Sequence, residues 1–119
     1  ILSLDSSPQL TQVNILDSVY GILMQGGGKL VYRGGRISSG DAGLLCFDHS
    51  TLSLEQLSIL DNLEEGFYLA NGCSLQQQGL QINRNDLGTV ANESYRTIFK
   101  TSAADNRIDF KPLPEEVIQ

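Results

Sequence analysis

The 119-residue chain is poor in the side chains that most often carry chemistry, with one histidine, two cysteines and no tryptophan. A catalytic triad brings together three side chains from separate segments, and a carboxylate orients the base. The only histidine, His49, has its candidate partners Asp48 and Ser50 directly beside it, and neighbours in an extended segment point apart. We therefore interpret this segment as a solvated loop and predict that the protein is not an enzyme.

The spacing that marks a metal or nucleotide site is also missing. His49 and the two cysteines, Cys46 and Cys73, contain no close ligand pair of the kind that holds zinc. The glycine triplet 26–28 follows a predicted helix and precedes a predicted strand, whereas a phosphate-binding loop runs from a strand into a helix. The sequence therefore predicts neither a cofactor nor a metal ion.

Positive charge is absent from the middle of the chain. No lysine or arginine lies between Arg36 and Arg84, although several acidic residues do, and the net charge is −6. Nucleic acids and anionic membranes bind basic surfaces, so neither is an expected partner, and a charged protein partner should be basic. No apolar run approaches the length of a membrane-spanning helix. The first residue is Ile1, which indicates a processed or excised piece and leaves a membrane-anchored parent open.

The two cysteines, 27 positions apart, are the main indication of the protein's location. Cys46 lies in an apolar run and Cys73 follows the turn dipeptide 71–72, so both are predicted to be strand residues. If their strands are neighbours, a disulfide would close a loop of about 28 residues and stabilise the fold by roughly 3–4 kcal/mol. The alternative is a pair of buried, reduced thiols, because free cysteine behaves as a small hydrophobic residue.

Apolar spacing predicts two helices and several short strands. Pro8 follows a capping serine, and apolar residues then recur at helical spacing to Leu23, while a second helix is predicted from Ser53 to Leu63. Segment 29–47 is predicted to be an antiparallel meander, the dipeptide 71–72 a hairpin turn, and segment 95–111 a final hairpin. We find no internal repeat at a fixed period. The prediction is a single α+β domain over residues 1–119, with two helices on an antiparallel sheet of six or seven short strands and a C-terminal tail at 112–119.

Two groups of residues are predicted to contact a partner protein. The first is the apolar end of the first predicted helix, which leads into the glycine triplet. The second is the set of basic residues opposite the apolar face of the last hairpin. These candidates are Ile22, Leu23, Met24, Arg96, Lys100, Arg107 and Lys111. Asn92 begins a glycosylation triplet in a predicted loop, which matters only in a eukaryotic secretory protein.

These observations favour a non-enzymatic protein-binding or assembly module, stabilised by a disulfide, in the periplasm, at the cell surface or outside the cell. A helix laid on a bridged antiparallel sheet resembles the heads of pilin-like subunits, an analogy of fold alone. The alternative is a cytoplasmic acidic protein, such as an immunity protein or a chaperone, that masks a basic partner. A small hydrolase is a third, weaker possibility.

Overall fold

The computed structural model describes residues 2–4 and 6–114, which wind into a solenoid of parallel strands. Strands make up 57% of the chain and helix 6%. The strands are β1 (Leu2–Leu4), β2 (Gln9–Leu16), β3 (Tyr20–Gln25), β4 (Lys29–Ser38), β5 (Ala42–Cys46), β6 (Thr51–Glu55), β7 (Ser58–Leu60), β8 (Glu65–Leu69), β9 (Ser74–Gln78), β10 (Gln81–Asn83), β11 (Leu87–Ala91), β12 (Ala103–Ala104) and β13 (Ile108–Pro112). A 3₁₀ turn (Glu93–Tyr95) leads into the one-turn helix α1 (Arg96–Phe99).

The described strands form two parallel sheets. Sheet A has the order β1-β3-β5-β8-β11-β13, and sheet B contains the other strands, with the long β4 pairing with β2, β6 and β7. Sheet B bends into two wings at the middle of β2 and β4. The first wing holds 9–11, 29–33, β6 and β9, and the second wing holds 13–16, 36–38, β7, β10 and β12. The chain crosses all three faces in each coil.

Residues in register are 21, 22 or 23 positions apart, as are Leu2 and Leu23, Ile37 and Ile59, and Leu44 and Phe67. The chain therefore has an internal structural repeat, although its period is not fixed, and the search for a fixed period in the sequence did not reveal it. The period varies by a residue or two, and the aligned positions share size more often than identity. We number the coils one (2–16), two (20–38), three (42–60), four (65–83) and five (87–104).

Stacked aliphatic side chains fill the interior. Ile15, Ile37, Ile59 and Ile82 occupy one column of the second wing, and the last three are at most 1% exposed. Each coil buries little apolar area alone but shares this column with its neighbours, which is how solenoids obtain a continuous core. Helix α1 takes the place of a first-wing strand in coil five and directs Phe99 into the core.

Residues with positive φ form the corners between the faces. Asp17, Ser39, Asp61, Arg84 and Asp105 occupy equivalent positions in successive coils, and each has φ between 56° and 63°. A second column contains Gln12 and Gln56, which alternate with Gly34 and Gly79. A left-handed residue turns the chain sharply at each corner and ends the strict alternation of inward and outward side chains.

The predicted α+β fold, with two helices and an antiparallel sheet, was wrong. Segment 8–23 forms β2 and β3, and segment 53–63 contributes to β6 and β7. The left-handed corner at Gln12 brings both Leu10 and Val13 towards the interior, so strand residues three positions apart share one face. This spacing imitates a helical stripe.

The predicted hairpins were wrong for a related reason. Gly72, with φ of +90°, turns the chain at a corner, but the flanking strands β8 and β9 lie in different sheets. The dipeptide 34–35 bends β4 and does not reverse it. In the predicted final hairpin, residues 96–99 form α1, and β13 pairs with β11 in parallel.

The predicted tail begins inside a strand, since Pro112 is the last residue of β13. The Leu113 N–H donates to the Ala91 carbonyl at 2.8 Å. The rest of the predicted tail, 115–119, lies outside the described residues. In the part of the chain that the structure describes, no helix has the length and apolar character needed to cross a membrane.

Candidate protein-docking surface

The outer surface of sheet A is apolar along most of its length. Two columns of side chains point away from the interior. One directly precedes Gly21 and Gly43 in their strands, where an added Cβ would point inward and meet Ile37 or Ile59. The other lies between core residues of each strand in coils two to four. The first column is Tyr20, Ala42, Glu65, Leu87 and Ile108, and the second is Leu23, Leu45, Tyr68, Val90 and Lys111. We call these residues, together with Phe47, the docking surface.

Part of the docking surface is open to solvent and part of it is buried. Tyr20 is 51% exposed and Ile108 is 37% exposed, while Leu23 and Leu87 are half-buried. The rings of Phe47 and Tyr68, on neighbouring coils, pack with centroids 5.2 Å apart. Leu45 and Val90 are 8% and 6% exposed, and Ala42 is 1% exposed. The result is a packed apolar layer outside the core.

This layer is unusual for a parallel sheet with one free face. Parallel sheets occur mainly where both faces are covered, and their strands are then apolar on both sides. Here the principal described contacts of sheet A are among its own strands, across the interior to sheet B, and with α1 at β13. The composition of the outer face therefore matches that of a covered sheet.

Acidic residues border one end of the docking surface. Asp41 and Glu64 are stacked in successive coils, where the Glu64 N–H donates to the Asp41 carbonyl at 2.7 Å, and Glu65 follows in the first column. The neighbouring carboxylates Asp61 and Asp86 form ion pairs with arginines, and these pairs lower the pKa of both carboxyl groups. None of the three border carboxylates forms an ion pair within the described residues.

The outward surface of the first wing is different in character. Hydroxyl, amide and charged side chains line a groove of about 460 Å³ there, among them Lys29, Thr51, Ser53 and Gln76. Among the described residues of its floor, Val31 is the only apolar side chain that points outward. A separate cavity of about 550 Å³ lies beside α1 and β13, in the C-terminal part of the described solenoid. The apolar docking surface of sheet A therefore contrasts with the polar outer surface of the first wing.

Only one of the three apolar partner candidates reaches this surface. Ile22 and Met24 are at most 1% exposed and belong to the core, because they point inward from β3. Leu23, between them, points outward and lies half-buried in the second column. The prediction had placed all three at the apolar C-terminal end of a helix, before the glycine triplet.

The four basic candidates do not form one patch. Lys111 ends the second column of the docking surface, and Arg107 lies at a corner, bound to Asp86. Arg96 and Lys100 line the cavity beside α1, where the Arg96 guanidinium stacks over the Phe110 ring at 4.8 Å. Arg96 also forms a bidentate ion pair with Glu93, which lowers the pKa of that carboxyl.

The remaining candidates lie at corners. His49 is exposed with φ of +59°, and its ring lies so close to Gly72 that a Cβ there would collide with it. Asn92 is exposed and caps the 3₁₀ turn, accepting a hydrogen bond from the Ser94 N–H at 2.9 Å. Among the described residues, no group of three or more His, Cys, Asp or Glu side chains is placed to hold a metal ion.

Cys46 and Cys73 lie together inside the solenoid, in coils three and four. Both are free thiols, the two sulfur atoms are 2.7 Å apart, and no disulfide joins them. The hydrogen bond between the two thiols, together with burial, raises the pKa of Cys46. The same hydrogen bond, aided by the backbone of Ser50, lowers the pKa of Cys73. The predicted proximity is present, and the predicted bond is not formed in this structure.

Sequence reasoning missed most of the docking surface. Tyr20 was assigned to a helix. Leu45, Phe47 and Tyr68 were assigned to strands, but the sequence did not show which side of the sheet they face. Their alignment depends on the register between coils, which a repeat of about 22 residues in the sequence could have revealed.

Compared with protein-family models, curated proteins and solved structures, the chain matches none of them.

Proposed function

We propose that this chain is a non-enzymatic protein-binding module that docks its partner on the outer surface of sheet A. The observation that carries the proposal is the apolar, aromatic outer layer on a parallel sheet with no described cover. Burying such a layer removes apolar area from water, which is the main driving force of protein association. Tyr20, Phe47 and Tyr68 are of the residue types that are enriched in interface cores.

The border of the surface indicates the chemistry of the partner. Asp41, Glu64 and Glu65 place unpaired negative charge beside the apolar centre, in a chain whose net charge is −6. A partner with an apolar patch flanked by lysine or arginine would fit both features. Charge complementarity of this kind mainly raises the association rate and selects the orientation of the complex.

The proposed location is the periplasm, the cell surface or the extracellular space, where an oxidising environment would allow the cysteine pair to form a bond. The alternative is a cytoplasmic protein that masks a basic partner with the same surface, and the acidic border favours it equally. The oxidation state of the cysteines in native material distinguishes the two.

Two lysine substitutions test the docking surface. Leu23 and Val31 are both half-buried residues that point outward from parallel strands, but Leu23 lies on the docking surface and Val31 on the polar wing. The immobilised wild-type chain captures proteins from a lysate, and mass spectrometry identifies them. The candidate partner is then purified, and calorimetry measures its affinity for the wild type and for each variant. We expect Leu23→Lys to abolish binding of the purified partner and Val31→Lys to preserve it, with affinity falling as salt rises.

Two results would contradict the proposal. Equal loss of binding in both variants, or in neither, would place the interface elsewhere. A concentration-dependent dimer of the purified chain that Leu23→Lys dissociates would identify a second copy as the occupant and exclude a basic partner on this surface.

A further inference from the structure

The cysteine pair occupies a junction between two coils. Cys46 is the last residue of β5 in coil three, and Cys73 directly precedes β9 in coil four. Cys46 is 0% exposed and Cys73 is 7% exposed. Their sulfur atoms, 2.7 Å apart, are within about 0.7 Å of the bonded separation. Closing a bond between them requires side-chain adjustment and no rearrangement of the coils.

We propose that Cys46 and Cys73 form an oxidisable pair that closes to a disulfide between coils three and four, in which Cys73 is the attacking thiol and Cys46 the resolving thiol. Cys73 is the more accessible of the two and lies at the corner made by residues 70–73, beside the exposed Asp48 and His49. Cys46 lies deeper, with its sulfur 3.7 Å from the Ser50 carbonyl oxygen. The inference does not depend on the docking surface.

The electrostatics of the pair agree with these roles. The hydrogen bond from Cys46 and the backbone of Ser50 lower the pKa of Cys73, so its thiolate forms first. The thiolate is the nucleophile in disulfide exchange. The hydrogen bond to Cys73 and burial raise the pKa of Cys46, so this thiol keeps its proton until the first exchange has occurred.

The reaction uses a small-molecule disulfide, such as oxidised glutathione, as the oxidant. The Cys73 thiolate attacks one sulfur of that disulfide, a mixed disulfide forms, and one glutathione thiolate leaves. Cys46 passes its proton to the departing thiolate, attacks the Cys73 sulfur and releases the second glutathione. Two protein thiols are oxidised to one disulfide, and one glutathione disulfide is reduced to two thiols.

The bond would act at a defined place in the solenoid. Each coil contacts mainly its neighbours, so coils can separate at any junction. A bond between coils three and four would tie 42–60 to 65–83 and leave coil two without a direct covalent link to them. Local opening should therefore become slower around this junction and change less in coil two.

Two serine variants test the order of the reaction. The folded chain and its Cys46→Ser and Cys73→Ser variants are incubated with oxidised glutathione, and intact masses are measured after alkylation. We expect the wild type to lose two hydrogens and to resist alkylation. We expect Cys46→Ser to accumulate one glutathione adduct, on Cys73, and Cys73→Ser to remain unmodified at Cys46.

Hydrogen exchange of the wild type provides a test that needs no variant. We expect oxidation to slow backbone exchange in coils three and four by about tenfold or more, and to slow coil two by less. Two alkylated thiols after prolonged oxidation of the wild type would overturn the proposed bond. Adducts of equal yield in the two folded variants, or an adduct only on Cys46, would overturn the assigned roles.

Discussion

Asn85 joins two coils through a single oxygen atom. Its side-chain Oδ1 accepts hydrogen bonds from the backbone N–H of Asn62 at 3.0 Å and from the Asn62 side-chain amide at 2.8 Å. The same relationship recurs one coil further along, where the Asn106 oxygen accepts from the Asn85 N–H at 2.8 Å and from its side-chain amide at 3.0 Å. The three residues form an asparagine ladder inside one corner of the solenoid.

Replacing Asn85 with Ala should destabilise the protein by about 3 kcal/mol, because the Asn62 N–H loses its acceptor in a buried position. The matched control is Asn83→Ala. The Asn83 side chain lies nearer the surface and donates one hydrogen bond, to the Ala104 carbonyl, so its loss should cost about 1 kcal/mol or less. Urea unfolding measures both values, and equal losses would show that the ladder contributes no special stability.

Replacing Gly43 with Ala should cost about 3 kcal/mol, because the new Cβ would collide with the Gly66 carbonyl and with the Ile59 side chain. The control is Gly27→Ala at a corner, where φ is +76° and no atom lies within 4 Å of the added Cβ. The control should lose about 1–2 kcal/mol from the backbone conformation alone. Thermal unfolding checks the order, and a larger loss for Gly27→Ala would contradict the close approach of the coils at Gly43.

Tyr32 should make the stability depend on alkaline pH. Burial raises the pKa of its hydroxyl to about 12, from an ordinary value of about 10. The stabilisation linked to this proton is complete below pH 10 and is lost as the pH rises from about 10 to 12, by roughly 2–3 kcal/mol.

Tyr32→Phe should remove the part of the alkaline loss of stability that is linked to the Tyr32 hydroxyl. It should also cost about 1 kcal/mol at neutral pH, because the hydroxyl donates a hydrogen bond to the Val13 carbonyl. Urea titrations of the wild type and the variant at roughly pH 9 and pH 11.5 compare the two losses. If the wild type and the variant lose the same free energy of unfolding between these two pH values, the ionisation of Tyr32 is not linked to unfolding.

The ion pair between Arg84 and Asp61 should contribute little to stability. The geometry is bidentate, with nitrogen–oxygen distances of 2.8 and 3.1 Å, but both side chains are largely exposed. We expect Arg84→Ala to change the free energy of unfolding only slightly at neutral pH and low salt, because solvent screens an exposed ion pair. Because Arg84 lowers the pKa of Asp61, this contribution is present above pH about 4 and disappears as the pH falls through the lowered pKa. A cost that persists in strong acid or high salt would indicate a packing role for the arginine stem.

The strand content was predictable where a strand has no corner or has its corner at glycine, and not where the corner falls on glutamine. Most of β4, β5, β8 and β13 coincides with predicted strands, whereas β2 and β6 were assigned to helices because corners at Gln12 and Gln56 change which side faces inward. A left-handed residue in the middle of an extended segment has no strong sequence signature when it is glutamine. Local patterns also could not predict whether paired strands run parallel or antiparallel, because the paired residues are about 22 positions apart in the sequence.

The sequence did contain a signal for the solenoid. Glycines at 21, 43, 66 and 88 and isoleucines at 15, 37, 59 and 82 recur with the spacing of the coils. These columns, compared at a period of 21 to 23, would have aligned Leu23 with Leu45 and Tyr68 and so revealed the apolar outer face. For the two cysteines, the sequence predicted strand positions and left open whether the two strands are neighbours.

The parallel pairing of all the described strands gives the molecule a mechanical direction. The backbone hydrogen bonds between coils run along the solenoid axis, so tension along that axis would load the bonds of one junction at a time and peel the coils apart in sequence. Tension across the axis would instead load many bonds of a sheet together in shear. The protein should therefore be compliant to a pull between its ends and stiff to a pull across its faces.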